Sequence, residues 1–412
     1  MNKNSLNIWI IANVDFPQGR GGTPRIRNIG VGLTKLGNKV KLLIPHSAGY
    51  VAKNQNTQIK GNYKGIEFVY FTKTTERISS EIGIALTKMV GNFRLGVRFL
   101  FSPKPDILLI YNYSFLDVGL LFLFAKLMGR KVIFDVCDER FDLFATNWSK
   151  SFFRWINSLQ VRLSDKVMFK YADGFLVVSS YLQDKILRVY RGQKILNVPL
   201  VAEIPDKIPE PQITSNNFIT NGFPKLAYVG SLISDEGIEM LIDCVSLLRK
   251  KHKKIICYLF GDANNPSFKE RIDYLISNNN LNGNFVLPGS LPYEQLKDVL
   301  THFDLLVLPR PDSVISRAGF PGKLSEYFSS GRPVVTTNFG DISNYFADKK
   351  NLFISDNNTY ESFANKIEEA LDNKDELQRV GRNGFLLAKE SFDLQNVSKK
   401  IHEFFLSSKI NN

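Results

Sequence analysis

Cysteine is scarce in this chain of 412 residues: Cys137, Cys244 and Cys257 lie far apart in apolar surroundings, with no CxxC spacing. A disulfide framework is therefore excluded, and reduced core thiols in a cytosolic compartment are expected. Histidine is scarce too, with four copies and none at metal-ligand spacing, and no DxD segment stands in for them. No bound metal is expected. A GxGxxG fingerprint is missing as well, so a dinucleotide site is a poor reading. The first residues, MNKNSLNIWIIANV, run straight into a strand-like segment with no long apolar region or small-residue cleavage site, and an export signal is not expected. The longest apolar stretch, Asp106 to Gly129, is interrupted by Asn112, Asp117 and Lys126. That pattern predicts a buried strand from Ile107 to Tyr111 and a core-facing helix from Leu116 to Met128, in preference to a membrane span.

Base, by contrast, is in excess: 53 Lys and Arg against 40 Asp and Glu give a net charge of +13. Such a surface attracts polyanions, yet no nucleic-acid-binding motif accompanies it, and nucleic acid is not expected as a partner. Basic and aromatic residues interleave instead in Lys88 to Lys104 and in Asn147 to Lys170. The second segment places Phe152, Phe153, Trp155 and Ile156 among Lys150, Arg154 and Arg162, which suits a helix lying on an anionic membrane surface. A core-packed helix with a solvated cationic face explains the same residues equally well.

Strand-like apolar runs alternate with helical patterns along the chain, the rhythm of a doubly wound parallel sheet. It starts at Ile8 to Ala12 and reaches Phe175 to Ser179, then breaks in the proline-rich and polar stretch Val198 to Pro224, and resumes at Leu226 to Val229. The expected organisation is an α/β chain with one Rossmann-like domain over 1–200, a linker over 201–224, a second Rossmann-like domain over 225–385 and a terminal helical segment over 386–412.

The stretch FPGKLSEYFSSGRPVV, Phe320 to Val335, carries the most chemistry. Pro321 and Gly322 form a turn, and a helix from about Lys323 would aim its first N–H groups and its dipole at an anion. Lys323 adds a full charge, and Glu326 follows one turn later on nearly the same face, where a carboxylate can accept hydrogen bonds from vicinal hydroxyls. Phosphate and diol together suggest a nucleotide. An ordinary capped helix between two strands is the competing explanation.

This run resembles the donor-binding segment of the GT-B glycosyltransferases of family 4, in the subgroup with the approximate signature FPxKLxEYxAxGxPVV. Phe320, Pro321, Lys323, Leu324, Glu326, Tyr327, Gly331, Pro333, Val334 and Val335 match it. Tyr228 to Asp243, Tyr258 to Asp262, Phe285 to Leu296 and Phe303 to Pro309 resemble further family segments in the same order. The resemblance implies two Rossmann-like domains facing across a cleft, with the terminal segment returning to the first. It implies a metal-independent, retaining transferase that moves a sugar from a UDP- or GDP-sugar to a glycan acceptor. Lys323 and nearby amides, at Gly322 and Leu324, would bind the donor diphosphate, and Glu326 the ribose. Three departures are visible. Ala318 stands where many members have a glutamate near the transferred sugar. Ser231 and Glu236 stand where an arginine and a lysine commonly flank the diphosphate, leaving Glu236 to complement a helix dipole. Cys137 replaces a histidine often found before Asp138. Arg310, then Arg317, are the expected substitute cations, with backbone N–H groups of Gly230 or Ser231 assisting. In the first domain Gly22 matches a glycine near the reacting diphosphate, Arg25 and Asn28 follow it towards an anionic acceptor, and Asp138 ends a strand at the same cleft. A lipid-linked acceptor in surface-polysaccharide assembly would suit a cytoplasmic enzyme resting on the inner membrane face. A nucleotide-sugar 2-epimerase of the same fold would need acidic and histidine groups that four histidines do not supply. A nucleotide-sugar binder without turnover is the third reading.

Overall fold

Nine in-register residue pairs, six of them between isoleucine, valine and leucine, set the first sheet, where β1 (Asn7–Ile11) lies parallel between β2 (Lys39–Ile44) and β5 (Ile107–Tyr111). Residues 5–19, 21–47, 56–76, 81–102, 104–111, 115–138, 163–211, 222–251, 254–263 and 265–409 are described in this computed structural model. They divide into two compact units, 1–201 with 394–412, and 202–393.

The first unit adds β3 (Lys60–Tyr63), β4 (Ile66–Tyr70), β6 (Lys131–Val136), β7 (Gly174–Val177) and β8 (Ile195–Asn197), in the spatial order β3-β4-β2-β1-β5-β6-β7-β8. Every neighbouring pair is parallel except β3 with β4. Ile8, Ile10, Leu108, Leu109 and Ile133 are sealed from solvent, as a sheet covered on both faces requires. Helix α1 (Thr23–Lys35) follows β1 and opens with Pro24, whose missing N–H costs nothing in a first turn. Helices α2 (Glu81–Phe101) and α3 (Phe115–Leu127) pack against each other in the crossovers on either side of β5. The apolar stretch after Asp106 is thus a buried strand and a short helix, and among the described residues no helix is long and apolar enough to cross a membrane. Helix α4 (Ser180–Val189) is capped by Ser179, whose Oγ accepts the Leu182 N–H at 3.3 Å.

In the second unit β9 (Lys225–Val229), β10 (Ile256–Phe260), β11 (Phe285–Val286), β12 (Leu305–Leu308), β13 (Val334–Thr336) and β14 (Phe353–Ile354) form an all-parallel sheet in the order β11-β10-β9-β12-β13-β14. The order reverses at β9, whose neighbours are β10 and β12, so the loops after β9 and β12 flank a switch point where ligands bind in such sheets. Helices α5 (Ile238–Lys250), α6 (Pro266–Asn278), α7 (Tyr293–Leu300), α8 (Val314–Ala318), α9 (Leu324–Ser329), α10 (Ile342–Tyr345), α11 (Tyr360–Asp372) and α12 (Lys374–Ser391) complete it. The chain returns to the first unit at Leu394, later than 386, and α13 (Leu394–Lys409) then packs along α1. Of the linker expected over 201–224, Ala202 donates its N–H to Phe392 O at 2.9 Å within the second unit, and 212–221 lie outside the described residues. Segment 147–162, the greater part of the expected membrane contact, lies outside them as well.

Candidate functional site

Lys323 is the hub of the second unit's site. It precedes α9, and its ammonium donates to Tyr228 Oη at 2.9 Å and pairs with the Glu236 carboxylate. Its Cε passes over Gly230, whose φ of +145° suits glycine and where an added Cβ would overlap the lysine. Burial lowers the Lys323 pKa, and Glu236 pulls it back only in part. Burial, helped by Glu236, also holds the Tyr228 phenol well above its usual range, so Tyr228 stays protonated and donates to Ser231 O at 3.0 Å.

Glu236 belongs to a 3-10 turn, Ser234–Glu236, separated from α5 by the left-handed Gly237. It is therefore not a dipole-complementing residue of that helix. Its carboxylate and the Lys323 ammonium are both about four-fifths buried and form one internal ion pair. Sequence separation hid this contact.

Arg310 follows β12 and holds its guanidinium 5.7 Å from the centre of the Phe339 ring. Its Nε is buried and without a hydrogen-bond partner among the described residues. The charges of Arg310 and Glu326 both act on Lys323, which brings three expected site residues together with Gly230 at the ends of β9 and β12. Glu326, on the first turn of α9, accepts Ser325 Oγ at 2.7 Å.

Other expected contributors are differently engaged. The Leu324 side chain is fully buried, and its N–H reaches Pro321 O at 3.1 Å. The next N–H, of Ser325, reaches Gly322 O at 3.0 Å. A tight turn over Pro321 to Ser325 thus consumes the Leu324 and Ser325 amides, and Leu324 serves the core. The Gly230 N–H is likewise spent on Phe260 O at 2.9 Å, so it is not an anion donor. Arg317 is exposed and chelates Asp312, its Nε reaching Oδ1 at 3.0 Å, and this partner holds the Asp312 pKa down.

Tyr327 is the residue that sequence reasoning matched without giving a role. Fully buried, it accepts the Val229 N–H at 2.9 Å and donates to Val307 O at 3.2 Å, tying α9 to β9 and β12. Tyr327→Phe would strand both backbone groups and lower the unfolding free energy by about 1–3 kcal/mol in a urea titration. A loss below about 0.5 kcal/mol would show that the strap is not needed.

In the first unit Gly22, Arg25 and Asp138 gather around Asp135, Tyr111 and Cys137. A Cβ on Gly22 would overlap the Tyr111 ring, so glycine is required for that approach. Arg25 does not face open space. Its Nε and Nη2 clasp the fully buried Asp135 carboxylate at 2.9 and 2.7 Å, and Nη1 donates to Val198 O at 2.7 Å. Burial opposes the guanidinium charge, but Asp135 outweighs it and the Arg25 pKa rises. Asn28 is also structural, donating to Val201 O at 2.7 Å. Burial pushes the Cys137 thiol and the Tyr111 phenol well up, with the Asp138 charge adding to both. Asp138 itself is exposed at the end of β6. Among the described residues no three His, Cys, Asp or Glu side chains group as metal ligands.

Residues 210–386 match the family model described as glycosyl transferases group 1. Over 197 residues the chain is 21% identical to the capsular polysaccharide biosynthesis glycosyltransferase CapM of Staphylococcus aureus, covering 47% of each chain. Over 230 residues it is 21% identical to an uncharacterized glycosyltransferase of Methanocaldococcus jannaschii, covering 55% of this chain and 58% of that one. The chain spans about half the length of the curated relatives it matches. Among solved structures, sucrose-phosphate synthase from Thermosynechococcus elongatus superposes with a TM-score of 0.73 at 14% identity, over 97% of this chain and 98% of that one. WaaG, a glycosyltransferase involved in lipopolysaccharide biosynthesis, gives 0.67 at 14% identity over 97% and 99%. Anabaena Alr3699/HepE in complex with UDP gives 0.67 at 14% identity over 98% and 100%. These likenesses show the GT-B fold, with its two parallel-sheet Rossmann-like domains.

Proposed function

We propose that the chain is a retaining, metal-independent glycosyltransferase of the FPxKLxEY subgroup of family 4, acting on a nucleoside-diphosphate sugar and a glycan acceptor. The observation that carries this reading is the convergence of Lys323, Arg310 and Glu326 at the switch point of the second sheet, inside the region that matches the glycosyl transferases group 1 model. In the reaction the bond from the anomeric carbon to the diphosphate breaks and negative charge grows on the leaving group. Lys323 and Arg310 stabilise that charge, and Glu326 accepts hydrogen bonds from the ribose. The acceptor hydroxyl oxygen joins the anomeric carbon from the face that the diphosphate leaves, and a diphosphate oxygen takes its proton. A UDP-sugar is the first donor to try, since a structure of the same fold is a UDP complex. A lipid-linked acceptor in surface-polysaccharide assembly fits the relative named for capsular polysaccharide biosynthesis. Incubation of labelled UDP- and GDP-sugars with the chain in EDTA tests it. Diphosphate release with sugar retained on an acceptor supports transfer, and intact donors throughout oppose it.

The Glu236 pair favours one second reading, a nucleotide-sugar binder without turnover. Any incoming diphosphate meets this carboxylate beside the ammonium it needs. Glu236→Gln removes a negative charge within contact range of Lys323, and nucleoside-diphosphate affinity should rise about tenfold by calorimetry. Unchanged or weaker affinity would mean that Glu236 orders Lys323 for the ligand instead of competing with it.

A further inference from the structure

Helix α2 covers only part of the sheet face on which it lies. It is fixed over β1 by Phe99, whose ring meets the Trp9 ring edge-on with centroids 5.8 Å apart. Beyond that contact the strand register carries the same face outwards. One row sets Trp9 beside Lys41 and Lys41 beside Glu67, and the next sets Leu43 beside Val69 and Val69 beside Lys60. A sheet face packed under a helix would be apolar at all of these positions. Here three of them carry charge, and a groove of about 690 Å³ is lined by this part of the sheet and by Arg98 and Ser102 at the end of α2.

The groove is rich in hydrogen-bond donors and poor in acceptors. Trp9 and Ser102 are only 3% and 9% exposed, yet Trp9 Nε1 and Ser102 Oγ have no hydrogen-bond partner among the described residues. Buried polar atoms left in this way call for an explanation, and an indole N–H can be satisfied only by an acceptor. Lys41, Lys60 and Arg98 are likewise donors only. The one carboxylate among the lining residues, Glu67, is already engaged by Lys41 at 2.9 Å. Leu43, Val69 and Phe71 supply apolar surface. We propose that this groove binds a small organic anion, a phosphate or carboxylate carried on an aromatic ring. The anionic head is the acceptor that the indole, the hydroxyl and the cations require, and the ring fits the apolar surface beside Trp9. The groove has the volume of a small-molecule pocket. It is confined to the first unit, and the proposal does not rest on the transfer reaction of the second.

Calorimetric titration of the full chain with naphthyl phosphate, naphthoate, naphthol and inorganic phosphate tests it, in the native chain and in Lys323→Ala, where the second unit's central cation is gone. Saturable binding of a naphthyl anion is expected, unchanged in Lys323→Ala and falling as salt rises. Affinity should drop about tenfold in Arg98→Glu and in Lys60→Glu, and about fivefold in Ser102→Ala. Arg98 and Lys60 are exposed, and Ser102 Oγ bonds to nothing among the described residues, so each variant should keep the native circular dichroism, and any one of them suffices if another does not fold. Tighter binding of the phosphate would mark a phosphate monoester as the occupant, and tighter binding of the naphthoate a carboxylate. No binding of either naphthyl anion would overturn the proposal, as would naphthol or inorganic phosphate bound as tightly as naphthyl phosphate, or affinity that the Arg98, Lys60 and Ser102 variants leave unchanged. Binding lost in Lys323→Ala would overturn it too, by placing the anion in the second unit.

Discussion

Lys323→Ala is expected to lower the rate constant of sugar transfer by about 10²–10³ while leaving the fold assembled. The ammonium is the most converged group in the second unit: it meets Tyr228 Oη and Glu236, lies over Gly230, and feels the charges of Arg310 and Glu326. Its site lowers its pKa by burial, so an arriving diphosphate supplies the negative charge that burial withholds. Loss of the lysine also leaves Glu236, about four-fifths buried, without its cation, which costs stability independently of catalysis. The double variant Lys323→Ala/Glu236→Gln separates the two effects. Melting temperature should recover in the double variant and turnover should not. Turnover within a factor of about three of the native chain in either variant would remove Lys323 from the leaving-group site.

Arg25→Ala is expected to destabilise the first unit by about 3–5 kcal/mol, read as a shifted midpoint in urea. Asp135 has no solvent exposure, and both of its carboxylate oxygens accept from this one guanidinium. Removing the cation leaves a buried carboxylate beside Tyr111 and Cys137, whose own ionisations the burial already suppresses. The same guanidinium holds Val198 O, so α1, β6 and the segment after β8 loosen together. Arg25→Ala/Asp135→Asn should recover much of the loss because no buried charge is left unpaired. A single-variant effect below about 1 kcal/mol would mean that water reaches Asp135 freely.

Repeating apolar strands and helical patterns made the two-domain α/β plan legible, because a parallel sheet covered on both faces needs uninterrupted buried runs such as those of β1, β5 and β12. The placement of Lys323 and Glu326 together at the start of a short helix was legible too, through the spacing of the segment. What the spacing concealed were partners far along the chain. Glu236 and Lys323 are 87 positions apart, and Arg25 and Asp135 are 110 apart. A local reading therefore left Arg25 facing a ligand and Glu236 facing a dipole, where the fold turns both towards opposite charges. Backbone bonding was equally hidden. The turn Pro321 to Ser325 closes on itself, so Leu324 and Ser325 spend their amides locally, and the cation at Lys323 must do more of the anion binding than a free helix start would require. The changeover expected at 386 falls instead at Leu394, where α13 begins and packs on α1.

The central claim is that Lys323, Arg310 and Glu326 form a nucleoside-diphosphate site, and calorimetric titration of uridine diphosphate into the native chain in EDTA tests it most directly, with guanosine diphosphate and adenosine diphosphate alongside. Saturable binding of one diphosphate, tightened in Glu236→Gln and lost in Lys323→Ala and Glu326→Ala, is the predicted result. No heat of binding from any of the three, in the native chain and in Glu236→Gln alike, would contradict the account.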